Sequence, residues 1–142
     1  MKKKTVGAGF AANLHIEGLH RVYGTDAEFV GVHSRNMEKA AAFADTHGGT
    51  AFDDLDALLA EIDILHVVAP SSLHENLAIR ALERNVHAIV EKPLTGYFGD
   101  GSEEFDMREP SIADAQTGAL DSIRRMLAAE AASEGRLLYA EN

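Results

Sequence analysis

Residues 7–12 read Gly-Ala-Gly-Phe-Ala-Ala, which fits the pattern G-x-G-x-x-G/A. Gly7 permits a tight turn and Gly9 lets the backbone approach a pyrophosphate. Ala12 is small enough for a helix to close on a sheet, and the phosphates would meet that helix's first turn at Phe10 and Ala11. A second group is His33-Ser34-Arg35-Asn36, at the end of an apolar run. A site selective for NAD usually places an acid there, to accept hydrogen bonds from the adenosine ribose. Here Ser34 offers a hydroxyl, and Arg35 a planar guanidinium that can pair with a 2′-phosphate and stack on adenine. Lys39 adds a positive charge one helical turn on. These residues favour NADP, with NAD possible, and disfavour S-adenosylmethionine. A third group follows the run "DILHVVA": Ala69-Pro70, then Ser71, Ser72 and His74. The fourth is Glu91-Lys92-Pro93 after "HAIV", in a chain with only 3 prolines.

The elements that must carry these residues alternate. Strands are expected at about Lys3–Val6, Glu28–Ser34, Thr50–Phe52, Asp63–Ala69, His87–Glu91 and in "RLLYA". The first is short and basic for a central strand. Helices are expected at about Phe10–Tyr23, stopped by Gly24, and at Met37–Thr46, capped by Asn36 and ended by Gly48-Gly49. A third helix, capped by Asp53 or Asp54, would carry Leu55, Leu58, Leu59 and Ile62 on one face. A fourth, about Leu73–Arg84, would be capped by Ser71 or Ser72. The last, about Ile112–Glu134, would carry apolar residues at Ile112, Ala115, Ala119, Ile123, Met126 and Leu127 and stop at Gly135. Alternating strands and helices imply an α/β fold, a doubly wound parallel sheet with helices on both faces in three α/β/α layers. Ligands bind such sheets at the carboxyl ends of the strands, where the four groups converge. Gly96–Pro110, rich in Gly, Asp and Glu, reads as a solvated surface insertion, with a mobile loop or lid as the other reading.

A chain of 142 residues supports one domain with a core. Its formal net charge of −10 argues against nucleic-acid and anionic-membrane partners. With no cysteine there are no disulfides, thiolate metal sites or thiol nucleophiles. Met1 to Lys4 are basic, but Asn13, His15 and Glu17 leave no apolar signal region, and no run reaches a membrane-spanning length. A cytoplasmic protein is expected. His15, His20, His33, His47, His66 and His87 show no metal spacing with carboxylate support, so no metal site is expected. They read as structural or surface residues; His15 is near the glycine turn, but a helix surface is its expected place.

Together, GAGFAA, the Ser-Arg pair after the second strand, "APSSLH" and "VEKPLT" resemble the amino-terminal NAD(P)-binding Rossmann domain of the Gfo/Idh/MocA oxidoreductases, over nearly the whole chain. The resemblance implies hydride transfer between a nicotinamide cofactor and a sugar, cyclitol or related secondary alcohol or ketone. It places Lys92 near the nicotinamide and the reacting carbon, where an ammonium stabilises developing oxyanion charge. It turns Glu91 toward the ribose or nicotinamide side, and gives Pro93 a turn, often with a cis peptide, that points Lys92 into the crevice. Ala69 and Pro70 would border the cofactor, and His74 would line the pocket, with a capping or surface role as the other reading. The family's general base is a His in a D-x-x-x-H motif on a second, α+β domain, and this chain shows no such motif. Residues 1–142 therefore read as the cofactor domain alone, inactive by itself, with oligomer contacts expected through the second domain. The competing reading is a non-catalytic nucleotide-binding or NADP-sensing module. A methyltransferase is disfavoured by Arg35 and by Lys92-Pro93.

Overall fold

The computed structural model describes residues 10–24, 26–99 and 111–140. The expected first strand, Lys3–Val6, the glycines Gly7 and Gly9, and most of Gly96–Pro110 lie outside them. The described elements run α1 (Phe10–Leu19), β1 (Gly31–His33), α2 (Met37–His47), β2 (Thr50–Phe52), α3 (Leu55–Leu59), β3 (Ile64–Val67), α4 (His74–Leu82), β4 (His87–Glu91), α5 (Ile112–Ala131) and β5 (Leu137–Ala140). All pairing is parallel. β1 pairs with β2, and β3, β4 and β5 form a second ladder in that order. Register is set by pairs such as Val67 with Val90 and Glu91 with Ala140. This is the α/β architecture of the Rossmann fold.

Two apolar clusters hold the layers. One joins Ile16 of α1 to Phe29, Val32, Ala40 and Ala44. The other gathers Leu58, Leu65, Val67, Ala81, Val90 and Met126 with their neighbours from α3, α4 and α5. Helices that share separate clusters are what a sheet covered on both faces requires. The helix α2 shows why local sequence suffices there. The side chain of Asn36 accepts a hydrogen bond from the Lys39 N–H at 3.0 Å, and Gly48 closes the helix at φ +78°. Small Ala40 and Ala44 let it sit close to β1.

Several elements are shorter than expected. The helix α1 ends at Leu19, and turns carry the chain to Gly24 at φ +82°. Strands β1 and β3 keep only the residues that find a ladder partner. The helix α3 is capped by Asp54, whose side chain accepts from the Asp56 N–H, and it stops at Leu59, so Ile62 joins the core from beyond it. Neither Ser71 nor Ser72 caps α4. Residues Ser71–Leu73 form a 3-10 turn, and the helix begins at His74 without a side-chain cap. The helix α5 starts on Ser111, which accepts from the Asp114 N–H, and ends at Ala131. Its apolar stripe is only partly buried. Met126 is fully buried, but Ile112 is 79% and Leu127 51% exposed. Ile112 stands in the first turn, and Leu127, about 100° round the helix from the buried Met126, lies off the face that meets the core.

Candidate functional site

The end of β1 delivers His33, Ser34 and Arg35, and the first turn of α2 delivers Lys39. His33 Nδ1 lies 3.1 Å from the Phe52 carbonyl, a bond that ties the ends of β1 and β2 together. Ser34 Oγ accepts from the Asn36 N–H at 3.3 Å. Arg35 and Lys39 are exposed. Across from them, the end of β3 delivers Ala69 and Pro70. All of these residues line one cavity of about 340 Å³, walled by the apolar side chains of Leu55, Leu73 and Leu77. An apolar slot with cations at its rim fits an adenine held between aliphatic walls and a phosphorylated ribose beside Arg35 and Lys39. A more open cleft of about 550 Å³ lies at the opposite ends of β3 and β4, against Asp63, Arg84 and His87. It holds none of the residues that the sequence assigns to the cofactor or the substrate.

At the end of β4 the chain turns sharply. Glu91 is buried, Lys92 is exposed, and the Lys92–Pro93 peptide is cis, as the resemblance implies. Lys92 and Pro93 are exposed at the end of the strand, next to the buried Glu91. Glu91 does not present a free carboxylate to a ligand. Its Oε1 accepts from His15 Nε2 at 2.7 Å and its Oε2 from the Lys92 N–H at 3.2 Å. The His15 hydrogen bond, with the Lys92 N–H behind it, holds the Glu91 carboxyl below the usual range despite its burial. His74 is buried too, with Nδ1 at 2.9 Å from the Pro93 carbonyl and Nε2 at 2.9 Å from the Ala69 carbonyl. It bridges the ends of β3 and β4 from within rather than lining the pocket. Phe10 and Ala11 open α1, and Gly7 and Gly9 lie outside the described residues.

The sequence reading missed His15 and His66. His15 is not on the helix surface: its side chain is 12% exposed. Its Nδ1 meets Nδ1 of His66 at 2.7 Å, with the two rings at 89°. That separation is too short for two nitrogens on one tetrahedral zinc, and among the described residues no group of three or more acidic or histidine side chains could hold a metal ion. Burial, then the charge of His15, lowers the pKa of His66 to about 4. One signal was available in the sequence. His66 interrupts "DILHVVA", an otherwise apolar strand, and a titratable group there needs a partner.

Comparisons with known proteins decide the family. Residues 4–109 match the family described as oxidoreductase family, NAD-binding Rossmann fold. The chain belongs to the Gfo/Idh/MocA oxidoreductases. It is 35% identical over 113 residues to the glucose-6-phosphate 3-dehydrogenase of Bacillus subtilis, covering 80% of this chain and 32% of that protein. It is also 35% identical over 95 residues to the UDP-N-acetylglucosamine 3-dehydrogenase of Acidithiobacillus ferrooxidans, covering 67% of this chain and 29% of that one. In three dimensions it resembles the WlbA dehydrogenase of Bordetella pertussis, solved with NADH and UDP-GlcNAcA. The TM-score is 0.75 at 24% identity, over 99% of this chain and 34% of the other. The chain thus spans about a third of the length of the curated relatives it matches. No helix among the described residues is long and apolar enough to cross a membrane.

Proposed function

We propose that the chain is the cofactor-binding part of an NADP-preferring oxidoreductase that acts on a sugar, a cyclitol or a related secondary alcohol or ketone. The cavity that brings Arg35 and Lys39 against an apolar slot carries this reading. Bound there, the cofactor would supply a hydride acceptor or donor at its nicotinamide. Arg35 pairs with the 2′-phosphate, Lys39 adds positive potential, and Ser34 donates its hydroxyl to the ribose. Ala69 and Pro70 form the floor between the adenosine end and Lys92. The Lys92 ammonium steadies the substrate oxygen as its proton is lost. The buried Glu91 and His74 hold that turn in place from either side. A second domain would bring the general base and most substrate contacts, in keeping with the length of the relatives.

Titration of the purified chain with NADPH and with NADH tests the reading. NADPH is expected to bind more tightly, and Arg35→Ala to erase the preference. The loss should be about 10- to 100-fold in NADPH affinity, as for a charge-assisted hydrogen bond. Lys92→Ala, at the other end of the crevice, should keep the preference. A chain that is folded by circular dichroism and binds neither nucleotide would sink the oxidoreductase reading.

A further inference from the structure

Glu91, His15 and His66 come from β4, α1 and β3, and two hydrogen bonds of 2.7 Å join them in a row. The contact between the two Nδ1 atoms holds one proton between two nitrogens, and two arrangements satisfy it. In the first, His15 is an imidazolium. Its Nε2–H donates to Glu91 and its Nδ1–H to the bare Nδ1 of His66, whose own proton sits on Nε2. In the second, His15 is neutral. It keeps its Nε2–H on Glu91 and accepts at Nδ1 from the Nδ1–H of His66. Both arrangements keep both bonds with every heavy atom in place, and they differ by one proton. Going from the first to the second, the proton on His15 Nδ1 passes to His66 Nδ1, and the proton on His66 Nε2 leaves. His66 lines the nucleotide cavity, so the leaving proton has an exit there.

We propose that Glu91, His15 and His66 form a proton relay that adds or removes one positive charge behind the Glu91–Lys92–Pro93 turn without moving it, exchanging the proton with the nucleotide cavity through His66. A carrier should not keep what it carries, and burial suits His66 to that task by holding it neutral down to about pH 4. The groups facing His15 are His66 from β3 and Glu91 from β4, with Lys92 next in the turn and acting on Glu91 through its charge. On α1 itself Glu17 is exposed and pairs with Arg21, and across the cavity His33 bonds the Phe52 carbonyl. The use of the relay rests on the cofactor reading above. An oxidised nicotinamide carries a positive charge and a reduced one does not. With that ring beside the turn, neutral His15 accompanies the oxidised cofactor and the imidazolium accompanies the reduced one. Binding of NADP⁺ then releases a proton that binding of NADPH does not.

Nitrogen-15 NMR of the histidines in the whole chain tests the relay without any nucleotide. As pH is raised, His66 is expected to switch from the Nε2–H to the Nδ1–H tautomer. A His66 that keeps one tautomer throughout overturns the relay. In His15→Gln the amide still donates to Glu91, and the His66 switch should vanish; a switch that persists also overturns it. Calorimetry with NADP⁺ and NADPH, in buffers of different ionisation heat, tests the coupling. The wild type should release more protons with NADP⁺, and the His15→Gln variant should show no difference. The preference for NADP⁺ over NADPH should grow by up to about tenfold per pH unit. Equal proton release by the wild type overturns the coupling. If a folded chain binds neither nucleotide, the cofactor reading fails, and the tautomer measurement alone decides the relay.

Discussion

His74 shows how a residue can serve a site without touching a ligand. Its ring is 1% exposed and spans two backbone carbonyls that end different strands. The Pro93 carbonyl follows Lys92 directly, so the imidazole fixes the turn on which the ammonium stands. His74→Ala removes the ring that bridges the Ala69 and Pro93 carbonyls and leaves a hole lined by their oxygens. Destabilisation of roughly 2–4 kcal/mol is expected in urea unfolding. His74→Gln, which keeps a donor, should recover part of it. Lys92 is the reverse case: exposed, at the end of a buried strand, its position set entirely by its neighbours. Its place at the end of a strand was readable from "VEKP" with the apolar run before it. The partners of Glu91 were not, because His15 is 76 residues away in sequence.

Among the elements, α5 and the segment after Pro93 are locked together at one small residue. A Cβ on Gly118 would overlap the ring of Tyr97, so the helix needs glycine there although glycine weakens a helix interior. Gly118→Ala must push Tyr97 off the helix. The expected cost is about 1–3 kcal/mol, with a shift in the Tyr97 ring resonances as the direct sign. The gain in helix propensity, at most about 1 kcal/mol, does not offset it. Asn36→Ala should lower stability by about 1 kcal/mol through the lost α2 cap, with nucleotide preference the same because Arg35 and Lys39 remain. Caps and stops of this kind follow from local chemistry, which is why the expected start of α2 matches the observed one. The serines before α4 misled because Pro70 and a 3-10 turn settle that start in another way.

At the scale of the molecule, acid stability should report the buried relay. His66 has a folded pKa of about 4 against 6.5 unfolded, so the unfolded chain takes up its proton first. Its contribution is whole above pH 6.5 and is lost as pH falls toward 4, on the order of 3 kcal/mol in all. Glu91 is also depressed, so its contribution persists above its unfolded value near 4.5 and disappears as pH falls below that. Thermal melting from pH 7.5 to pH 3.5 should show stability falling in two overlapping steps. His66→Phe should remove the upper step. A flat profile between pH 7 and 5 would contradict the neutral, buried His66.

The order of strands and helices, the parallel sheet, and the meeting of Ser34, Arg35, Ala69 and Pro70 at the carboxyl ends of the strands could be read along the chain. Periodicity, caps and turn residues are local, and a parallel α/β topology leaves one edge of the sheet for ligands. Which way Glu91 and His74 face, the exposure of Ile112 and Leu127, and the meeting of His15 with His66 and Glu91 came from packing in three dimensions. Those outcomes depend on side chains from three or more elements meeting at bonding distance. His66 marks its strand as needing a partner, but no pattern along the chain says which one, because the partners lie 51 and 76 residues apart.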